Sequence, residues 1–213
     1  MTKVPETSPG ERSRRTLRDI ERFYSSKEVL DLIENGRPWP YKIDKDYFLL
    51  RDKALMCFIY LMACRINEAL KVNKTQFDFK TDPEFIVVQD FKISKRTQKI
   101  LMAQGIPKID FGLPLVGELS PFTEKVMSWY YLQEKNLGSP LLFPGIGRVR
   151  AWGIIEYSTG KWCHWFRSQR LSYLMKTFRS ETIVAKMIGI KAPGTISHYY
   201  KGSWAEHREE LKK

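Results

Sequence analysis

The chain has 213 residues, 36 of them Lys or Arg against 24 Asp or Glu, for a formal charge of +12 at pH 7. With 43% hydrophobic and 13% aromatic residues it can bury a genuine core, which excludes global disorder and fits one domain of ordinary size plus a tail. A basic balance of this size, with a pI of about 9.6, points to a polyanionic partner, nucleic acid being the commonest; a solvated basic surface is the plain alternative. No apolar run reaches the roughly 18–20 residues that span a bilayer. The stretch Ala54 to Ala63 stops after ten and reads as a buried core helix. The opening MTKVPETSPGERSRR lacks the apolar stretch of a signal peptide, so the expectation is an intracellular, cytoplasmic protein. Cys57, Cys64 and Cys163 are odd in number and read as reduced thiols, and three scattered histidines leave no metal site to propose.

In chain order, residues 1–25 read as a flexible basic arm running into a short helix. Ser25 to Gly36 then carries a full helix signature: a serine cap, an early glutamate, apolar Val29, Leu30 and Ile33, and a glycine stop. Arg37 to Asp44 is a proline-broken loop, and Lys45 to Cys64 reads as one strongly apolar helix. A short helix begins at Ile66. Strand-like runs follow at Phe77–Phe79, Glu84–Asp90 and Lys108–Leu115, bounded by Asp, Pro and Gly. The connection between the last two carries Lys92, Lys95, Arg96 and Lys99 and no acidic residue. Beyond Pro121 the pattern is helical to Asn136, then a Pro/Gly loop bears Arg148 and Arg150, and helices follow over Lys161–Phe178 and Ser180–Ile190. The fold class is mainly α with a small three-stranded antiparallel sheet.

Several residues suit chemistry on a phosphate. A pentacoordinate phosphoryl transition state gathers charge on its nonbridging oxygens, which planar guanidinium groups match with paired donors. Arg65 follows the apolar helix directly, and Glu68, one helical turn on, can orient it. His164 and Arg167 stand at i, i+3 and share a helical face. Lys92 or Lys95, on the basic connection, suits the proton donor that a departing 5′-oxygen needs. A tyrosine near the C-terminus, Tyr199 or Tyr200, suits the attacking group. Taken alone, each has a plain reading: Arg65 a surface arginine, His164 a half-buried histidine, the lysines ordinary phosphate contacts, the tyrosines packing.

Together, RDKALMCFIYLMACRINEAL, the basic connection, HWFR, IGI and the YY pair resemble the catalytic domain of the tyrosine recombinases, the phage-integrase family. Lys92 lies 27 residues after Arg65, His164 lies 99 after it, Ile190 lies 23 after Arg167, and Tyr199 nine after Ile190. The resemblance covers residues 26–205, which it makes a DNA-breaking-rejoining domain, and leaves 206–213 as a tail or protomer-docking helix. It implies Arg65 and Arg167 as phosphate clamps, Lys92 as general acid with Lys95 as substitute, and Glu68 as support. His164 helps accept the tyrosine proton or bonds the phosphate, and Tyr199 is the nucleophile with Tyr200 as the alternative. Arg96, Lys99, Arg148 and Arg150 become DNA-backbone contacts. It further implies a 3′-phosphotyrosyl intermediate, no metal or other cofactor, double-stranded DNA as partner, and self-assembly to a dimer or tetramer on DNA.

Two departures stand out. The family's LGH reads IGI here, and Ile190 cannot give the hydrogen bond that His or Trp gives at that place. Only about 25 residues precede the match, so the expectation is either an excised catalytic domain or a minimal member without an N-terminal clamp. The rival readings are a type IB topoisomerase, a catalytically weakened DNA-binding relative and, on charge and aromatics alone, an RNA-binding helical module.

Overall fold

Ten consecutive apolar residues, Ala54 to Ala63, require burial on every side. The computed structural model describes residues 23–91, 110–135 and 138–188, and its core is built around that run, every member of which is buried. The elements are α1 (Ser26–Glu34), α2 (Lys45–Leu61), α3 (Ile66–Ala69), a 3-10 turn at Lys74–Gln76, and strands β1 (Phe77–Asp78), β2 (Phe85–Val88) and β3 (Phe111–Pro114). Helices α4 (Ser120–Glu134), α5 (Arg148–Thr159), α6 (Cys163–Phe178) and α7 (Glu181–Met187) complete them. The class is mainly α with one small sheet, as the residue pattern predicts. Helix α2 is central: α4 and α6 pack on it most extensively, and α1, α3 and α5 also touch it. Among the described residues no helix is long and apolar enough to cross a membrane.

The predicted start of α1 is realised as a capping box. Ser25 Oγ accepts from the Glu28 amide at 3.2 Å while Glu28 Oε2 accepts from the Ser25 amide at 2.9 Å. The helix ends hard against α5, where the Arg37 amide donates to the Ser158 carbonyl at 2.8 Å. A Cβ on Gly36 would meet that same oxygen at 2.8 Å, so only glycine lets the two backbones approach.

The three strands pair antiparallel in the order β1-β2-β3, with Phe77 opposite Val88 and Val88 opposite Phe111. Alternation in β2 and β3 sends Ile86, Val88, Phe111 and Leu113 into the core. The basic connection, including Lys92, Lys95, Arg96 and Lys99, lies outside the described residues.

Two expectations are corrected. The helix predicted through Cys64 stops at Leu61, because Ala63 takes a left-handed φ of 42°. The Ala63 amide donates to the Tyr60 carbonyl and the Cys64 amide to the Ile59 carbonyl, the pattern of a Schellman cap with alanine where glycine is usual. Arg148 and Arg150 sit not on a Pro/Gly loop but in the first turn of α5. Gly147, Gly153 and two arginines at the positive helix end all weaken its signal. Burial of Ala151, Ile154 and Ile155, and the Trp39–Tyr157 ring contact at 5.2 Å, hold it nonetheless.

Candidate functional site

The turn that ends α2 also begins the site. Arg65 is the residue before α3, and its backbone amide donates to Glu68 Oε2 at 2.7 Å while its Nη1 donates to Glu68 Oε1 at 3.4 Å. Glu68 therefore holds Arg65 by main chain and side chain together, leaving the arginine side chain 60% exposed. Arg167 comes from α6, which packs on α2, and is almost fully buried at 3% exposure. Its Nη1 donates to the Ala63 carbonyl at 2.6 Å and lies 3.9 Å from Glu68 Oε2. The left-handed turn at Ala63 thus presents a carbonyl to the buried cation. Backbone of this kind costs on the order of 1–3 kcal/mol and recurs where function constrains the chain.

Two guanidinium groups therefore share one carboxylate, and the cluster keeps a net positive charge. Arg167 Nε is buried and has no hydrogen-bond partner among the described residues. A buried cation so sparsely satisfied favours an anion. One turn before Arg167, His164 stands exposed, its ring 5.7 Å from that of Trp162. Desolvation, and then the neighbouring Arg167 and Arg65 charges, hold its pKa below the ordinary histidine value. At neutral pH its imidazole is uncharged and able to take a proton.

Beside this cluster opens a cavity of about 380 Å³ where three chain segments start helices. Arg65 contributes with Ile66 and Asn67 at the start of α3, Arg148, Val149 and Trp152 come from α5, and Trp162 contributes with Cys163 and His164 at the start of α6. Gly147 and Trp162, the residues that precede α5 and α6, make no side-chain cap hydrogen bond. Two long helices thus open on one cavity with their positive ends uncapped. Burial pushes the Cys163 thiol up to about 12, so at neutral pH it is part of the apolar lining and not a thiolate.

The structure brings together Arg65, Glu68, His164, Arg167 and Arg148. Arg150 is set apart from them: it is exposed, with its guanidinium 6.0 Å from the Tyr41 ring. Lys92, Lys95, Arg96, Lys99, Ile190, Tyr199 and Tyr200 lie outside the described residues. Sequence reasoning passed over Trp152 and Trp162. Trp152 lies four positions after Arg148, which would have placed them on one face had α5 been recognised as a helix.

No family model matches the sequence, and a search of curated proteins finds no relative. Solved structures do match. The XerH site-specific recombinase bound to palindromic difH substrate, a post-cleavage complex, is similar with a TM-score of 0.61 and 14% identity, over 90% of this chain and 53% of that one. A pre-cleavage complex of XerH with difH gives 0.59 and 14% over 91% and 54%. The chain has a tyrosine recombinase-like fold. It spans about half the length of the recombinase chains it resembles.

Proposed function

We propose that this chain is a DNA-breaking and rejoining enzyme of the site-specific recombinase or integrase type. The observation that supports it is the meeting of Arg65 and Arg167 at Glu68, 102 positions apart in sequence, with His164 one turn from the buried arginine. On this reading the two guanidinium groups bind the nonbridging oxygens of one phosphodiester. The Tyr199 hydroxyl attacks phosphorus and its proton passes to His164. The P–O5′ bond breaks, Lys92 protonates the departing 5′-oxygen, and a 3′-phosphotyrosyl bond keeps the phosphodiester energy. Attack by a 5′-hydroxyl reverses these steps and rejoins the DNA.

No step here consumes a nucleotide or requires a metal, because the leaving alkoxide is protonated and the charge on phosphorus is met by arginine. The Ile190 side chain has no group that could donate a hydrogen bond, and loss of one such donor lowers rate by about 10²–10³ in other enzymes. Arg148, beside the cavity, meets the adjoining DNA backbone. Double-stranded DNA is the partner, and exchange of strands between two duplexes requires more than one protomer.

The test uses duplexes of randomised sequence carrying a nick, so that a cleaved fragment diffuses away and traps any covalent intermediate. A DNA-linked protein band that survives denaturation in the presence of EDTA is expected with the native chain. Arg167→Ala lowers its formation by about 10²–10³. Absence of any adduct across the pool overturns the reading; relaxation of supercoiled plasmid without recombinant product moves it to a type IB topoisomerase.

A further inference from the structure

The phosphate cluster does not explain the cavity beside it. Its rim is cationic, with Arg65, Arg148 and the two uncapped helix starts, while its interior is apolar and aromatic. Trp152 is 48% exposed there although it is one of the largest apolar side chains in the molecule. Trp162 also lines the cavity, and its indole Nε1, shielded from water, has no acceptor among the described residues. An apolar peptide side chain would fill the interior and leave the cationic rim unanswered. A phosphate alone would answer the rim and leave the indoles exposed.

One ligand class satisfies both halves. We propose that the cavity is a nucleotide subsite that receives an unpaired base against Trp152 and Trp162 while the attached phosphate lies at the Arg65–Arg148 rim. The volume of about 380 Å³ admits a purine or pyrimidine with room to spare. An indole face accepts any base by stacking, whichever base it is. The inference rests on the phosphate reading of the arginine cluster. It adds that a base next to the bound phosphate leaves its stack, a step that costs least beside a strand break or in single-stranded DNA. Such a subsite holds an unpaired base in place and keeps it from re-pairing while the strand is open.

The experiment measures binding of the whole chain, at one fixed salt concentration, to an eight-nucleotide oligothymidylate and to an abasic oligomer of equal length and charge. The native chain is expected to prefer the thymidylate by about tenfold, the effect of stacking about one base. Trp152→Ala is expected to bring that ratio close to one, and Trp152→Phe to restore most of it. Trp152 is half exposed, so its truncation leaves the core intact, and circular dichroism checks that directly. Equal affinity of the native chain for both oligomers overturns the subsite and leaves the cavity to an apolar protein segment. A base preference that persists in Trp152→Ala also overturns it, placing the stacking elsewhere, for instance on the exposed Phe79 or Tyr131. Arg65→Ala separates the two readings: it should weaken both oligomers alike. If it weakens neither, the phosphate reading fails independently of the base preference.

Discussion

Arg167 carries the largest share of the account at the level of single residues. An arginine side chain at 3% exposure, its guanidinium bonded to one carbonyl and 3.9 Å from one carboxylate, is a costly arrangement unless an anion completes it. Arg167→Lys keeps the charge but loses the fork that spans two phosphate oxygens, so adduct formation is expected to fall nearly as far as with alanine. A lysine variant with native rates would show that charge alone suffices. His164 makes a prediction with a defined sign. Its folded-state pKa lies below the ordinary value of about 6.5, so the unfolded chain binds its proton more readily. On the proposed mechanism, adduct formation through neutral His164 is expected to fall as the pH drops through the folded pKa, and stability is expected to erode from the ordinary value down through the folded one. His164→Asn should flatten the acid limb measured in rate-against-pH profiles; an unchanged limb assigns it to another group.

Among the elements, α1 and the sheet were legible because their signals are local. Ser25, Glu28 and Gly36 spell a cap, a box and a stop, and the Val/Ile/Phe runs bounded by Asp and Pro spell strands. Helix α5 was not legible, because glycines at 147 and 153 and arginines at its positive end argue against a helix that tertiary packing then imposes. The burial of Arg167 was equally hidden: i, i+3 spacing puts it on a face with His164, but only the α6–α2 packing decides that the face points inward. The α1 terminus offers two tests. Gly36→Ala forces a methyl group to within 2.8 Å of the Ser158 carbonyl and is expected to cost about 1–3 kcal/mol in denaturant unfolding; no change would mean that the α1–α5 contact yields freely. Glu34 accepts from Lys53 at 2.7 Å and lies 2.7 Å from the Lys125 ammonium, joining α1 to α2 and α4. Burial would raise its pKa, yet the two ammonium groups together bring it below the ordinary carboxylate value. Its contribution is therefore present above that ordinary value and lost as pH falls through the folded pKa. Glu34→Gln should remove about 1 kcal/mol at pH 7 and progressively less as the pH falls through the folded pKa, read as the difference between two unfolding curves.

At the scale of the whole molecule, a charge of +12 combined with a tyrosine recombinase-like fold sets an expectation for how DNA is held. Phosphate contacts release counterions, so affinity for random-sequence duplex should fall steeply and log-linearly with salt. Arg148→Ala should lower the slope by about one contact and leave sequence preference unchanged, since backbone contacts position the protein and do not read bases. A slope unaffected by Arg148→Ala would place that side chain off the DNA. The architecture also explains how the candidate site is assembled: α2 ends in a strained turn that delivers Arg65, Glu68 and the Ala63 carbonyl, and α6, packed across the same core, delivers His164 and Arg167. The proposed nucleophile lies outside the described residues. The most direct measurement is therefore mass spectrometry of the peptide left attached to DNA after proteolysis of a trapped adduct. A phosphotyrosyl bond at Tyr199 is expected, with Tyr199→Phe abolishing the adduct and Tyr200→Phe sparing it. A DNA linkage on any other residue, or an adduct that survives Tyr199→Phe, would contradict it.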